Sequence, residues 1–125
     1  MKIIKAAKDA ARLMAEGSEC AFRHGAAIVR NGKIIALGRN YRTYSGRGNT
    51  RHAEIDAIMR TKLSALRGAT IIVFGKKPGG LWNNSRPCPN CEAVLKKLRF
   101  KKMVCSTQKP DQWTTEQIGT TKREN

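Results

Sequence analysis

The apolar residues of this chain change their spacing along its length, and each change predicts a different element. In KIIKAAKDAARLM they follow the i, i+3, i+4, i+7 order of one helix face, and Gly17 is a suitable place for that helix to end. Two apolar stretches then flank Asn31 and Gly32. This dipeptide favours a type I′ turn, in which both residues need a positive φ. It therefore predicts a hairpin with strands at residues 25–30 and 33–38.

Four further elements follow from the same kinds of pattern. HAEIDAIMRTKL has helical spacing, with Ile55, Ile58 and Met59 on one face. The β-branched run of GATIIVFG is typical of a buried strand. CPNCEAVLKKLRF begins a helix directly after Pro87, and KKMVC is a short apolar strand. These elements cover residues 52–63, 68–75, 88–100 and 101–105.

The order of these elements predicts an α/β domain with a mixed β-sheet and helices on its faces. The opening hairpin is antiparallel, whereas the later helical crossovers favour parallel pairing. We place the domain at residues 1–106. The tail at residues 107–125 has few apolar residues and lacks a convincing last strand, so it is predicted to be partly disordered, although Trp113 and Ile118 can dock it.

The chain is strongly basic, with a formal net charge of +16 from 25 Lys and Arg against 9 Asp and Glu. Residues 20–53 contain no acidic side chain at all. Such a field attracts polyanions, including nucleotides, nucleic acid and anionic surfaces. The alternative is a general bias in composition with no specific partner, because charge alone does not define a site.

Nothing in the sequence indicates export or a membrane. The first apolar stretch is interrupted by charged residues, which a signal-peptide core does not tolerate, and no apolar run is long enough to span a bilayer. We therefore expect an intracellular, cytoplasmic protein. In a reducing compartment its cysteines are expected to be thiols or metal ligands rather than disulfides.

Two of the cysteines have the spacing of a shared site. Cys88 and Cys91 lie in PCPNC, where the first turn of a helix brings both sulfurs towards one ion. The positive end of the helix dipole also favours their thiolate forms. A Cys-x-x-Cys pair alone remains ambiguous, since it occurs in redox pairs, in structural zinc sites and by chance.

A third ligand, His52, favours a catalytic zinc over a structural one. A structural site needs four protein ligands, and the remaining candidates, Cys20, Cys105 and His24, have no partner spacing. Three ligands leave one position open for water, which is typical of catalytic zinc. Glu54 lies two residues after His52, where it can reach that water without binding the metal.

These residues carry a family resemblance. HAE at residues 52–54 and PCPNC at residues 87–91 resemble the H-x-E and P-C-x-x-C signature of the zinc-dependent cytidine and deoxycytidylate deaminase superfamily. HGAAIVRNGKIIALGRN and GATIIVFG also resemble segments of that family, so that the resemblance spans residues 1–106. It implies the family's three-layer fold, one Zn²⁺ per chain on His52, Cys88 and Cys91, and Glu54 as the group that moves protons.

The resemblance also implies substrate contacts. Asn40 matches the family's asparagine after the second strand, which contacts the sugar, and Ala26 and Ala27 match small residues whose backbone lines the base pocket. For these alanines plain strand packing is an equal alternative. The predicted substrate-binding residues are Asn40, Ala26, Ala27, Ala53, Tyr41, Arg42 and Ser85.

Three functions stay open at the level of sequence. The first is hydrolytic deamination of a cytosine nucleotide, dCMP or CMP, by a homo-oligomer. The second is deamination of cytosine, or less readily adenine, in single-stranded DNA or RNA, which is favoured by the arginines and by Tyr41 and Tyr44 in NYRTYSGRGNTR. The third is a non-catalytic nucleic-acid-binding module on the same scaffold. A second, structural zinc on Cys20 and His24 is disfavoured, because no further histidine exists to complete it.

Overall fold

The computed structural model describes residues 2–42 and 50–118, with the side chains of residues 42 and 50 excepted. None of the helices in this part of the chain has both the length and the apolar character needed to cross a membrane. The helices are α1 (Lys2–Glu16), α2 (Ala53–Met59) and α3 (Pro89–Lys97), with one 3₁₀ turn at Leu63–Ala65. The strands are β1 (Arg23–Arg30), β2 (Lys33–Arg39), β3 (Tyr41–Arg42), β4 (Thr50–Arg51), β5 (Thr70–Lys76), β6 (Trp82–Asn83), β7 (Lys102–Ser106) and β8 (Trp113–Gln117).

The main sheet has the order β2-β1-β5-β7-β8, and the short β6 pairs with β5. Strands β5 and β7, which are joined by the crossover through α3, are parallel. The other pairs along the sheet are antiparallel. The mixed sheet predicted from the order of elements is therefore confirmed, including the antiparallel hairpin and the parallel crossover.

Alternation along the central strands divides the molecule into three layers. In β1, Ala26 and Ile28 belong to the apolar cluster that includes α2 and α3. Their neighbours Ala27 and Val29 belong to the cluster that includes α1. Strands β5 and β7 alternate in the same way. Because both faces of these strands are covered, they have continuous apolar runs instead of an alternation of apolar and polar residues.

The predicted turn between β1 and β2 is confirmed. Asn31 has a φ of 53° and Gly32 a φ of 74°, as a type I′ turn requires. The register begins at the pair Arg30 and Lys33, with one irregularity between Ile28 and Val29. This register pairs the start of β1 with the end of β2, at the end of the sheet where α2 begins.

Two details of the sequence prediction are wrong. Helix α2 ends at Met59 instead of continuing to residue 63, and Met59 is 62% exposed instead of packing with Ile58. Strand β8 is absent from the prediction. It lies at an edge of the sheet, and most of its side chains are exposed or half-buried. Backbone pairing with β7 holds it, and that pairing leaves little trace in the hydrophobic pattern. Residues 119–125 of the tail lie outside the described residues.

Aromatic side chains connect α1 to the far half of the sheet. Phe74 and Trp82 make an edge-to-face contact with ring centroids 4.8 Å apart, and Trp113 lies 5.5 Å from Trp82. Arg12 lies 5.0 Å from the centre of the Trp82 ring, and Lys8 lies 5.2 Å from that of Trp113. These cation–π contacts attach α1 to β6 and β8, two strands that the hydrophobic pattern does not reveal.

Two glycines allow helices to approach the sheet closely on opposite faces. A Cβ at Gly25 would lie 1.9 Å from the carbonyl oxygen of Ala11 in α1. A Cβ at Gly38 would lie 2.4 Å from the backbone nitrogen of Ala57 in α2. Since both contacts are to backbone atoms, no side-chain rotation relieves them.

We expect Gly25→Ala to lower the free energy of unfolding by about 3 kcal/mol, the upper end of the usual cost of overpacking, because α1 has to move. Gly17→Ala is the matched control, since its Cβ would meet chiefly the flexible end of Arg39. Urea unfolding monitored by circular dichroism measures both. Equal stability of the two variants would contradict the close approach of α1.

Candidate active site

The N-termini of α2 and α3 lie side by side at one end of the sheet. His52 is the residue that precedes α2, and its carbonyl accepts a hydrogen bond of 3.0 Å from the N–H of Asp56. Cys88 precedes α3 in the same way, with its carbonyl 2.8 Å from the N–H of Glu92. Cys91 lies in the first turn of α3. Both cysteines are thus at the positive end of a helix dipole, which favours thiolate over thiol.

The three predicted metal ligands are brought together. His52 Nδ1 lies 3.1 Å from Cys91 Sγ and 3.7 Å from Cys88 Sγ, and all three ligand atoms lie within 4.8 Å of one another. Zinc bound tetrahedrally to one imidazole and two thiolates separates nitrogen from sulfur by about 3.5 Å. The observed distances lie on either side of this value, and a set of one nitrogen and two sulfurs suits zinc. The site therefore fits the predicted cofactor.

Within the described residues, this is also the one group of three or more His, Cys, Asp or Glu side chains whose ligand atoms lie close enough together to hold a metal ion.

Cys91 is buried, and its burial, followed by the charge of Glu54, raises the pKa of its thiol well above the usual range. A thiol of this kind is costly to ionise without a cation and is deprotonated when it binds a metal. The burial of Cys91 is thus consistent with a thiolate that binds a cation.

Glu54 lies in the first turn of α2 and is 5% exposed. Burial raises the pKa of its carboxyl group, which its own backbone N–H and the nearby His52 lower in part. In the part of the chain that the structure describes, no other side chain pairs with it. A buried carboxyl group without a partner is costly. The burial of Glu54 is explained if its carboxyl group acts on a ligand that enters the site.

A cavity of about 600 Å³ opens beside the metal ligands. Six residues singled out from the sequence line it: Asn40, His52, Ala53, Glu54, Ser85 and Cys88. Five others were not predicted as parts of the substrate site: Cys20, Ala21, Phe22, His24 and Arg86.

The remaining predicted substrate-binding residues lie elsewhere. Ala26 and Ala27 are fully buried in β1, one packed towards α2 and the other towards α1, and neither lines the cavity. Tyr41 pairs with Arg51 across β3 and β4, and the Arg51 guanidinium lies 4.9 Å from the centre of its ring. The side chain of Arg42 and the whole of Tyr44 lie outside the described residues.

Asn40 organises the wall of the cavity. Its Oδ1 accepts hydrogen bonds from the Ser18 hydroxyl at 2.7 Å and from the His24 N–H at 2.9 Å. Its Nδ2 donates to the carbonyl of Phe22 at 2.8 Å. These bonds hold the segment from Ser18 to His24 against β2. One Nδ2 hydrogen of Asn40 remains free of these contacts and is available to a ligand.

Phe22 is the most informative residue that the sequence reasoning missed. Its side chain is 53% exposed and lines the cavity. His24 also lines the cavity, and its burial, followed by the nearby His52, lowers the pKa of its imidazole. A signal for Phe22 exists in the sequence, since this aromatic residue directly precedes β1 without continuing the apolar run.

A buried carboxylate, also missed from sequence, anchors α2. Asp56 is 1% exposed and accepts hydrogen bonds of 3.1 Å from the backbone N–H of Arg39 and from Nε of Arg60. Arg51 adds a longer contact of 3.5 Å. The carboxylate thereby ties α2, which follows His52 and carries Glu54, to the end of β2.

A pair of buried serines anchors the segment before Cys88. The Ser85 hydroxyl donates to the carbonyl of Val73 at 2.7 Å and accepts from the N–H of Ser106 at 2.9 Å. The Ser106 hydroxyl accepts from the N–H of Gly75 at 2.9 Å. These bonds join β5, β7 and the approach to α3. Although Ser85 lines the cavity, its hydroxyl is already used in these hydrogen bonds.

Arg86 adds a second anchor next to the ligands. Its guanidinium donates to both carboxylate oxygens of Glu92, at 3.1 and 3.2 Å, and to both of Glu116, at 2.8 and 3.1 Å. Glu92 belongs to α3 and Glu116 to β8. Bidentate pairing of this kind fixes geometry as well as charge. Arg86 therefore connects the segment before Cys88 to β8, and two carboxylates neutralise its charge.

Comparisons with known proteins agree with this geometry. A family model described as the cytidine and deoxycytidylate deaminase zinc-binding region matches residues 1–107. No curated protein matched the sequence. A solved cytidine deaminase from Burkholderia pseudomallei is 27% identical, with 92% of each chain covered and a TM-score of 0.71. A dCMP deaminase from the cyanophage S-TIM5 is 25% identical, with 82% of this chain and 80% of that chain covered and a TM-score of 0.62.

A third solved structure, the cytidine deaminase from Mycobacterium leprae, is 24% identical, with 90% of this chain and 92% of that chain covered, and shares the fold with a TM-score of 0.58. The family model spans the helices, the central strands and all three metal ligands. The chain therefore belongs to the family of zinc-binding cytidine and deoxycytidylate deaminases.

Proposed function

We propose that this protein is a zinc-dependent hydrolytic deaminase that converts dCMP or CMP into the corresponding uracil nucleotide and ammonia. The observation that supports this most strongly is the position of Glu54. It is a buried carboxyl group without a side-chain partner among the described residues, in the same cavity as His52 and Cys88. A volume of about 600 Å³ lies within the range of sites for small ligands.

His52, Cys88 and Cys91 would hold the zinc ion. When bound there, Zn²⁺ supplies the activation of water that hydrolytic deamination of cytosine requires. Glu54 accepts a proton from the attacking water and delivers protons to the ring nitrogen N3 and to the departing amino group. The overall change is cytosine plus water to uracil plus ammonia.

Other cavity residues would orient the base and sugar. The exposed ring of Phe22 offers a flat apolar surface on which a pyrimidine can stack. The free Nδ2 hydrogen of Asn40 can bind a sugar hydroxyl, and the imidazole of His24 can take part in a further hydrogen bond. Ala53, at the start of α2, contributes no bulk and leaves room for the base.

We propose a nucleotide as the substrate because of the similarity to a dCMP deaminase and because of the positive charge of the chain. The cyanophage protein, at 25% identity, is described as a dCMP deaminase, and the charge of +16 favours a phosphorylated substrate. Deamination of single-stranded nucleic acid is the second candidate, because a second groove, lined by Arg23, Lys76 and Lys77, adjoins the cavity. Assembly into a homo-oligomer stays a prediction.

We expect the purified zinc-loaded protein to deaminate dCMP or CMP faster than cytidine or deoxycytidine. Mass spectrometry of a panel containing these four compounds, together with short cytosine-containing DNA and RNA strands, measures this directly. Conversion of the strands alone, or of none of the panel, would reject the proposed reaction.

We expect Glu54→Gln to reduce kcat by about 10²- to 10⁴-fold, because the amide cannot carry the proton, while zinc content and fold are retained. Asp9→Asn is the matched control, since Asp9 is exposed on α1 and pairs only with Lys5 in the described structure. Steady-state kinetics, elemental analysis and circular dichroism are the measurements. Full turnover by the Glu54 variant would refute its assigned role.

We expect about one zinc ion per chain in the wild-type protein and loss of that zinc in Cys91→Ala. Cys105→Ala is the matched control, because Cys105 is also buried but is not among the clustered ligand side chains. Elemental analysis after gel filtration distinguishes the two variants. Equal zinc contents in the two variants would show that Cys91 is not a ligand.

A further inference from the structure

A second groove lies directly beside the active-site cavity. It has a volume of about 430 Å³ and is lined by residues 19–21, Arg23 and residues 76–80. We call it the basic groove. Cys20 and Ala21 line both the groove and the cavity, so that a single strip of chain separates the two.

Three cations line the basic groove, namely Arg23, Lys76 and Lys77, against one carboxylate, Glu19. Lys76 pairs with Glu16, which lies outside the lining and is also 3.9 Å from Arg23. In the part of the chain that the structure describes, Lys77 is in no ion pair. Glu16 therefore positions two of the cations, and Lys77 supplies charge that its neighbours do not neutralise.

The backbone of the groove is open to a bulky anion. Gly79 and Gly80 have φ values of 92° and 94°, and the turn is closed by a hydrogen bond of 2.7 Å from the Lys77 N–H to the Leu81 carbonyl. A Cβ placed on Gly79 would meet no atom within 4 Å. The missing side chains thus leave space over this turn, and positive φ makes larger residues unfavourable there.

Along the strip that separates the cavity from the basic groove, neighbouring residues line different spaces. Phe22 lines the active-site cavity, and its neighbour Arg23 lines the basic groove. A ligand whose base stacks on Phe22 and whose remainder passes over this strip reaches Arg23 and then the two lysines. Arg86 does not serve this purpose, because Glu92 and Glu116 already neutralise it.

We propose that the basic groove binds phosphate groups of the cytosine substrate and so selects phosphorylated compounds over free nucleosides, with Lys76 and Lys77 as specificity-determining residues. This inference rests on the proposed function. The chemistry required is a phosphate ester attached to a cytosine nucleoside. Such an ester is supplied either by a free nucleotide or by the backbone of a single-stranded nucleic acid.

The test compares Lys77→Gln and the double variant Lys76→Gln/Lys77→Gln with Lys33→Gln. Lys33 follows the hairpin turn at the opposite end of β1 and is exposed, so this control has the same charge change as the Lys77 variant, far from the groove. KM and kcat are measured with cytidine, CMP, dCMP and short cytosine-containing single strands. The zinc content and circular dichroism of each variant show that the site and the fold are retained.

We expect the lysine variants to raise KM for phosphorylated substrates by about tenfold or more for each charge-assisted hydrogen bond that the substitution removes, without changing the kinetics of cytidine. An increase for CMP or dCMP identifies the free nucleotide as the source of the phosphate. An increase confined to the strands identifies nucleic acid, and the slope of log affinity against log salt should then fall by about 0.7 per lysine. Equal effects on cytidine and on phosphorylated compounds, or no difference from Lys33→Gln, would overturn the proposal.

A binding measurement separates failure of the groove from failure of the proposed reaction. Fluorescence anisotropy with a labelled cytosine-containing oligonucleotide, and displacement of that probe by CMP, requires no turnover. If the wild-type protein deaminates nothing but the lysine variants still bind more weakly than Lys33→Gln, the groove stands and the reaction is wrong. If deamination occurs and binding is the same in all variants, the reaction stands and the groove proposal is wrong.

Discussion

The site depends on two helix N-termini that are held against one end of the sheet. His52 and Cys88 lie far apart in sequence, yet His52 Nδ1 and Cys88 Sγ are 3.7 Å apart. Helix α2 can come this close because Gly38 has no side chain beneath it, and Asp56 ties that helix to the end of β2. The approach to α3 is held by Ser85 against β5 and β7.

Much of the fold could be predicted from the sequence because its signals are local. The Asn31-Gly32 turn, the buried run of β5 and the helical spacing of α1 each reflect a few neighbouring residues. Strand β8 could not be found in this way. Its side chains are mostly exposed, and it is held by hydrogen bonds to β7, which depend on pairing rather than on its own pattern. Helix α2 is also shorter than its spacing predicts, since Met59 fits the periodicity but its side chain is mostly exposed.

In the candidate site, too, some residues could be predicted from local sequence signals and others could not. The metal ligands could be predicted because few residue types bind zinc and their spacing is restrictive. Phe22 and His24 become parts of a cavity only through the fold, which Asn40 stabilises by bonding to the segment that carries them. Composition gives the net charge of the chain, but only the structure shows which basic side chains are neutralised and which are not. Arg86 is neutralised beside the ligands, whereas Lys77 is unpaired within the described structure and lines an open groove.

The contact of Arg86 with Glu116 has a consequence for biosynthesis. All three ligand residues, as well as Arg86, precede β8 in the chain, so they leave the ribosome before Glu116 does. A nascent chain therefore contains the complete ligand set before it contains the strand that restrains the segment next to Cys88.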